Sequence, residues 1–220
     1  VHPPEIHHPS GPAGELAATV AVVVLAGGRS RRWGGVDKTA ASLAGRPVLE
    51  RVVDGVRAAF GVDVALVVVG PGDHPAVGAV APHTVRWVLE DPPGGGPVAG
   101  LAAGLAALPD GVRVVGVLAG DVPFGGPALR RLADALVGGA DADPLDAIVG
   151  ADPQGRRQPL LGAYRLGPLR AALAGEPAAG RSVRAVLDRL GVRTAPVDAR
   201  ESLDLDSPDD LATAAVYLEP

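Results

Sequence analysis

The sequence has 220 residues and contains no cysteine and no methionine, with only two Trp, two Tyr and two Phe. Lack of cysteine excludes disulfides, thiolate metal sites and cysteine nucleophiles. With aromatics at 3% of the chain, a core has to be built from Val, Leu and Ala. There is no excess of positive charge, the formal net charge being −5. A basic footprint for duplex nucleic acid is therefore missing, and no nucleic-acid partner is expected. No apolar run reaches the length of a membrane span, so no membrane partner is expected either. Val1–Thr19 carries Pro, His and Gly but no apolar stretch of the kind a secretory signal needs. It reads as a disordered leader, with His2, His7 and His8 solvated, ahead of one domain over 20–220. The cytoplasm is the expected compartment.

What is abundant is glycine (31) and proline (22), which implies many short loops without any strict repeat. Between these loops, continuous β-branched runs alternate with helical periodicity. Val20–Leu25, Val62–Val69, Val85–Leu89, Val112–Leu118 and Ala147–Val149 read as buried strands. Val48–Phe60, Val98–Leu108 and Pro127–Val137 read as helices, with Pro47 placed at the start of the first. Further on, Pro159–Tyr164 and Arg193–Val197 read as strands. Leu166–Leu173, Ser182–Leu190 and Asp209–Tyr217 read as helices, the last with Ser207 as its N-cap. Such alternation predicts an α/β fold: an open, mostly parallel sheet with helices on both faces.

In sheets of this kind ligands bind beyond the carboxyl ends of the strands, near a reversal of strand order. Four unusual segments fall there. Leu25-Ala26-Gly27-Gly28 begins a Gly- and Arg-rich loop that runs through Arg29, Arg31, Arg32, Trp33, Gly34 and Asp37 to Lys38. Glycines let backbone N–H groups approach phosphate oxygens, and Arg32 and Lys38 supply charge where a triphosphate needs it. The loop is neither a Walker loop nor a dinucleotide fingerprint. Glu90 to Leu101 contains Asp91 and the Gly94-Gly95-Gly96-Pro97 turn before a small-residue helix. Asp121 follows an apolar strand, where metal binding is the usual reason for a carboxylate. Asp204 and Asp206 alternate, so on a strand they would share a face; capping of the last helix is the plainer reading for Ser207.

The first segment closely resembles the signature of molybdenum cofactor guanylyltransferases, roughly L-A-G-G-x-S-x-R-M-G-x-D-K, with Trp33 in place of the usual Met. The second resembles that family's G-P-L-x-G element, the third its x-C-D-x-P-[FY] motif with Gly120 in place of Cys, and the fourth its D-x-D-T-P-x-D-L element. The resemblance covers nearly the whole chain after Thr19. One departure is Gly70, where many members carry an Asn near the nucleotide. The resemblance implies a Rossmann-like three-layer α/β/α nucleotidyltransferase fold and transfer of GMP from GTP to molybdenum-loaded molybdopterin. It implies a nucleotide held by Leu25, Ala26, Gly27, Gly28, Lys38 and Asp91, the last reading guanine. It further implies Mg2+ on Asp121 and catalysis by Lys38, Arg32 and Asp121. Arg156-Arg157-Gln158-Pro159-Leu160 and Arg181-Ser182-Val183 fall on the acceptor side. Cofactor-delivery proteins or apo-oxidoreductases are the implied protein partners. The alternatives are a cytidylyl-, sugar- or phospholactate-type transferase on the same fold, and a nucleotide-binding module without catalysis.

Overall fold

The computed structural model describes residues 20–27, 33, 37–77, 85–139 and 145–218. The leader over Val1–Thr19 lies outside these residues, as do Gly28 and Arg32.

β1 (Val20–Leu25) is buried along its whole length. A two-strand hairpin follows, β2 (Ser42–Leu43) and β3 (Arg46–Pro47), turning through Ala44 (φ 46°) and Gly45 (φ 80°). Hydrophobic runs do not announce strands this short. The chain continues through α1 (Val48–Phe60), β4 (Ala65–Val69), β5 (Val85–Val88), α2 (Pro97–Ala106), β6 (Val114–Ala119) and α3 (Gly126–Val137). It closes with β7 (Ala147–Ala151), β8 (Arg157–Arg165), α4 (Leu166–Leu173), α5 (Val183–Leu187), β9 (Val192–Pro196) and α6 (Pro208–Val216). The bounds of β1, α1 and α4 are those the sequence predicts. β4 starts later than its apolar run: Gly61 (φ 96°) ends α1, and Val62 lies in the following turn, 66% exposed.

The seven-stranded sheet has the order β5-β4-β1-β6-β8-β7-β9. All neighbours are parallel except β8, which runs antiparallel to β6 and β7. Alternation along the strands sends side chains to opposite faces and so makes two cores. Val20, Val22 and Val24 join one core with α1, α3, Leu205 and Ala214 of α6. Ala21, Val23 and Leu25 join the other with α2, α4 and α5. This is the three-layer arrangement, with a mostly parallel sheet, that the resemblance implies. None of the described helices is long and apolar enough to cross a membrane.

Strand order reverses at β1, which has β4 on one side and β6 on the other. At the carboxyl ends the backbones are stitched together beyond the strands. Ala26 N–H donates to Val69 O (2.7 Å), Gly120 N–H to Leu25 O (2.8 Å), and Gly70 N–H to Val88 O (2.9 Å). The loops after β1, β4, β5 and β6 thus leave the sheet from one edge.

Candidate active site

Lys38 opens a short 3-10 turn, Lys38–Ala40, beyond the glycine-rich loop. Asp37 caps this turn: its Oδ1 accepts from the Thr39 N–H (2.9 Å) and the Thr39 hydroxyl (2.6 Å). The Asp-Lys pair therefore has a local cause, since the aspartate fixes the turn that aims the lysine. The Lys38 ammonium is ion-paired with Asp121 Oδ2 and lies 3.1 Å from Asp206 Oδ1. Burial is the largest single influence on Lys38 and lowers its pKa. The charges and hydrogen bonds of Asp121 and Asp206 together outweigh it, so the pKa lies above the ordinary lysine value.

Asp121 follows β6 and is buried, with its side chain 12% exposed. Gly120 makes that position possible: a Cβ there would stand 3.0 Å from both Leu25 O and Ala26 Cα. Asp204 and Asp206 belong to an irregular segment before α6 and not to a strand. Alternation still holds between them, because Leu205 is fully buried in the core while its N–H donates to Asp121 O (3.1 Å). Trp33 Nε1–H donates to Leu205 O (3.3 Å), tying the glycine-rich loop to the same segment. Asp206 faces Lys38, and the last helix is capped instead by Ser207 with Asp210, whose Oδ2 accepts from the Ser207 N–H (2.7 Å) and hydroxyl (2.9 Å). The Asp204 carboxyl is shifted to higher pKa, first by burial and then by the charges of Asp206 and Asp121, with Lys38 opposing.

Two carboxylates, Asp121 and Asp206, thus meet one ammonium, with Asp204 near enough to feel all three charges, an arrangement no single motif displays. These two converge on a cation through hard oxygen donors, the donor type that suits Mg2+ or Mn2+. Among the described residues no cluster of three or more His, Asp or Glu side chains forms a ready metal cage.

Beneath Lys38 is a polar network that sequence reasoning missed. His74 is 4% exposed, and its Nδ1 accepts from the Ala76 N–H (3.1 Å). The proton of the neutral ring therefore sits on Nε2, which donates to Thr39 Oγ1 (3.0 Å), with Asp37 Oδ2 3.7 Å away. Trp87 stacks on the ring at 6.1 Å. Burial lowers the His74 pKa against the raising effect of Asp37 and Asp73. A lone histidine in a loop after a buried strand is the only trace of this network in the sequence.

On the nucleotide side, Leu25 and Ala26 are buried and Gly27 is exposed. Asp91 is exposed, whereas its neighbour Glu90 is buried. Gly96 (φ 91°) precedes Pro97 at the start of α2. Gly70 faces Ala26, whose Cβ would lie 3.2 Å from a Cβ at position 70. The position where relatives in the resemblance carry Asn is here packed against the start of the glycine-rich loop.

A cavity of about 210 Å³ opens beside Asp121, lined also by Gln158, Pro159, Leu160, Ser202 and Asp204. The Gln158–Leu160 part of the expected acceptor segment therefore adjoins the carboxylates. The first of its two arginines does not: Arg156 Nε donates to Asp152 Oδ2 (2.7 Å), within a turn where Asp152 also accepts from the N–H groups of Gln154 and Arg156. Arg181 is also turned elsewhere. It donates to Leu173 O (3.1 Å) and Ala172 O (3.0 Å), closing the carboxyl end of α4. α5, which it precedes, has only five residues. A larger cleft of about 400 Å³ lies at the amino ends of β4 and β5, against Asp63, Leu66, Arg86 and Pro109, away from these groups. Its one arginine donates to Ala107 O, so the cleft offers no converging charges of the kind seen around Lys38.

Residues 22–194 match the family described as MobA-like NTP transferase domain. The chain is 31% identical to the molybdenum cofactor guanylyltransferase of Mesorhizobium japonicum, over 91% of this chain and 96% of that one. It is 38% identical over 141 residues to the bifunctional protein GlmU of Halorhodospira halophila; this match covers 64% of the chain and only 28% of that longer protein. The solved structure of molybdopterin-guanine dinucleotide biosynthesis protein A from Archaeoglobus fulgidus is similar at 26% identity, with a TM-score of 0.67. That likeness covers 90% of this chain and 98% of the other.

Proposed function

The chain belongs to the MobA-like NTP transferase domain family and is a nucleotidyltransferase; from that premise we propose that it transfers GMP from GTP to the phosphate of molybdenum-loaded molybdopterin. The observation that carries this reading is the convergence of Lys38, Asp121 and Asp206 at the reversal of strand order, beside a cavity that can take an acceptor. GTP lies along the loop that begins at Gly27, with its base toward the Gly94–Pro97 turn and its phosphates toward Lys38. An oxygen of the acceptor phosphate attacks the α-phosphorus. The new P–O bond forms as the bond to the β-phosphate's bridging oxygen breaks, and pyrophosphate leaves.

Lys38 moves from the carboxylates to the phosphates when these arrive, exchanging one set of anionic oxygens for another. Arg32, on the strength of the resemblance, adds further charge for the phosphates. Asp121 would hold a divalent cation, Mg2+ by choice of donors, with Asp206 or Asp204 as a second oxygen donor. Bound there, the ion supplies charge neutralisation at the transferring phosphate. Positioning and electrostatic stabilisation supply the rest, and no covalent intermediate on the protein is needed.

Gly70, where many members of the resembled family carry an Asn near the nucleotide, favours one second reading, a related transferase on the same fold with another nucleotide or a sugar-phosphate acceptor. Pyrophosphate release from GTP, CTP, ATP and UTP with Mg2+, with and without molybdenum-loaded molybdopterin, separates the two. We expect acceptor-dependent release from GTP alone, reduced at least about 100-fold in Asp121→Ala, as for loss of a principal electrostatic group. Release from CTP or UTP with a sugar phosphate, and none from GTP with molybdopterin, would overturn the named substrates and keep the reaction class.

A further inference from the structure

We propose that Glu90 is the residue that reads the nucleobase, a reading that rests on the guanylyl transfer proposed above. Glu90 is only 8% exposed. Its Oε1 accepts from the Gly94 N–H (3.0 Å) at the turn before α2. Its Oε2 is buried and has no hydrogen-bond partner among the described residues. A buried carboxylate oxygen without a donor is costly, so it persists where something else supplies the donor.

The surroundings say where that donor enters. A Cβ built on Gly27 would stand 3.5 Å from Oε1 and 3.7 Å from Oε2. The exposed Gly27, at the end of the central strand, thus stands directly over both carboxylate oxygens with no side chain of its own. Gly27 and Gly94 flank the carboxylate from the two loops between which the nucleotide lies. Pinning the Gly94 turn uses only one oxygen, and a neutral amide would serve that purpose equally well. The second oxygen and the charge are left for a ligand that brings N–H donors.

Guanine presents such an edge: its ring N1–H and exocyclic amine stand side by side. Adenine and cytosine present a donor beside an acceptor, and uracil a single N–H between two carbonyls. A carboxylate has acceptors only, so it matches the first edge and repels the lone pairs of the others. Asp91, one residue on, is exposed and lies outside this enclosure.

The test measures binding of GTP, ITP and 1-methyl-GTP by calorimetry to the wild type, Glu90→Gln and Asp91→Asn. ITP lacks the exocyclic amine and 1-methyl-GTP lacks the N1–H. In the wild type both should bind at least about tenfold more weakly than GTP, the loss of one charge-assisted hydrogen bond. Glu90→Gln keeps an acceptor for the Gly94 N–H, so a merely structural role leaves the GTP-to-ITP ratio unmoved. We expect that ratio to fall to within about threefold of unity, with the melting temperature no lower than in the wild type. An unchanged ratio in Glu90→Gln overturns the proposal, as does loss of the ratio in Asp91→Asn alone. A wild type that fails to discriminate GTP from ITP overturns it without any variant. Turnover of GTP by a wild type whose Glu90→Gln form keeps its ratio sinks only the role of Glu90; absence of GTP turnover sinks the guanylyl reading itself.

Discussion

Protonation of His74 on Nδ1 costs the hydrogen bond that this nitrogen accepts from Ala76. Burial adds to the cost, and the folded-state pKa lies below the ordinary value of 6.5. The sign follows from linkage: the unfolded chain binds the proton first, so the stability contributed by neutral His74 is complete above pH 6.5. It is lost as pH falls from there through the lower folded value. Melting temperatures between pH 5 and pH 8 should therefore decline toward acid more steeply in the wild type than in His74→Gln, which keeps a donor and an acceptor but does not titrate. Equal slopes would show that the network beneath Lys38 is insensitive to this proton. At the same scale the sequence was only partly informative. Lys38 and Asp121 stand out by residue type and context. Glu90 and His74 do not, because what distinguishes them is burial and the lack or choice of a partner, which depend on residues distant in sequence.

Elements were more legible than single contacts, and the reasons differ between them. α1 carries Val48, Leu49, Val52, Val53 and Val56 on one buried stripe, so its period is plain. α2 has no such stripe, being buried along most of its length, and its reading rests on small residues and on Pro97 at its start. Packing explains that composition. A Cβ on Gly104 would come within 2.5 Å of Val23 Cγ1 and 3.1 Å of Val69 Cγ2, both on the sheet beneath. Gly104→Ala should destabilise the fold by about 1–3 kcal/mol, read from urea unfolding, because the helix must lift from a packed face. A neutral substitution would mean that α2 has slack against β1 and β4. The antiparallel direction of β8 was not readable from its own residues, since a buried run looks the same in either sense. It is set by the tight Asp152–Arg156 turn, which brings the chain straight back beside β7.

For the molecule as a whole, the last segment locks the site from far along the chain. Leu205 is fully buried; its N–H donates to Asp121 O, and its carbonyl accepts from Trp33. It sits between Asp204 and Asp206, the second of which faces Lys38. Leu205→Ala should cost about 2–5 kcal/mol, as a large-to-small change in a packed core. It should also reduce turnover, although Leu205 is placed against no substrate. Full activity in a destabilised variant would show that the aspartates keep their places without this anchor.

The sequence by itself determined the class of fold, the buried strands and the four segments that matter, because periodicity, glycine and charge act locally along the chain. It also determined the family, through the order of those segments. The tertiary structure alone decided that Asp206, 168 positions after Lys38, comes to the same ammonium as Asp121. It also decided that Arg156 and Arg181 serve turns and a helix end, and that Glu90 is enclosed while Asp91 is not. The reason is physical: a charge takes its role from the charges and the solvent around it, and these are set by which strands become neighbours when the order reverses at β1.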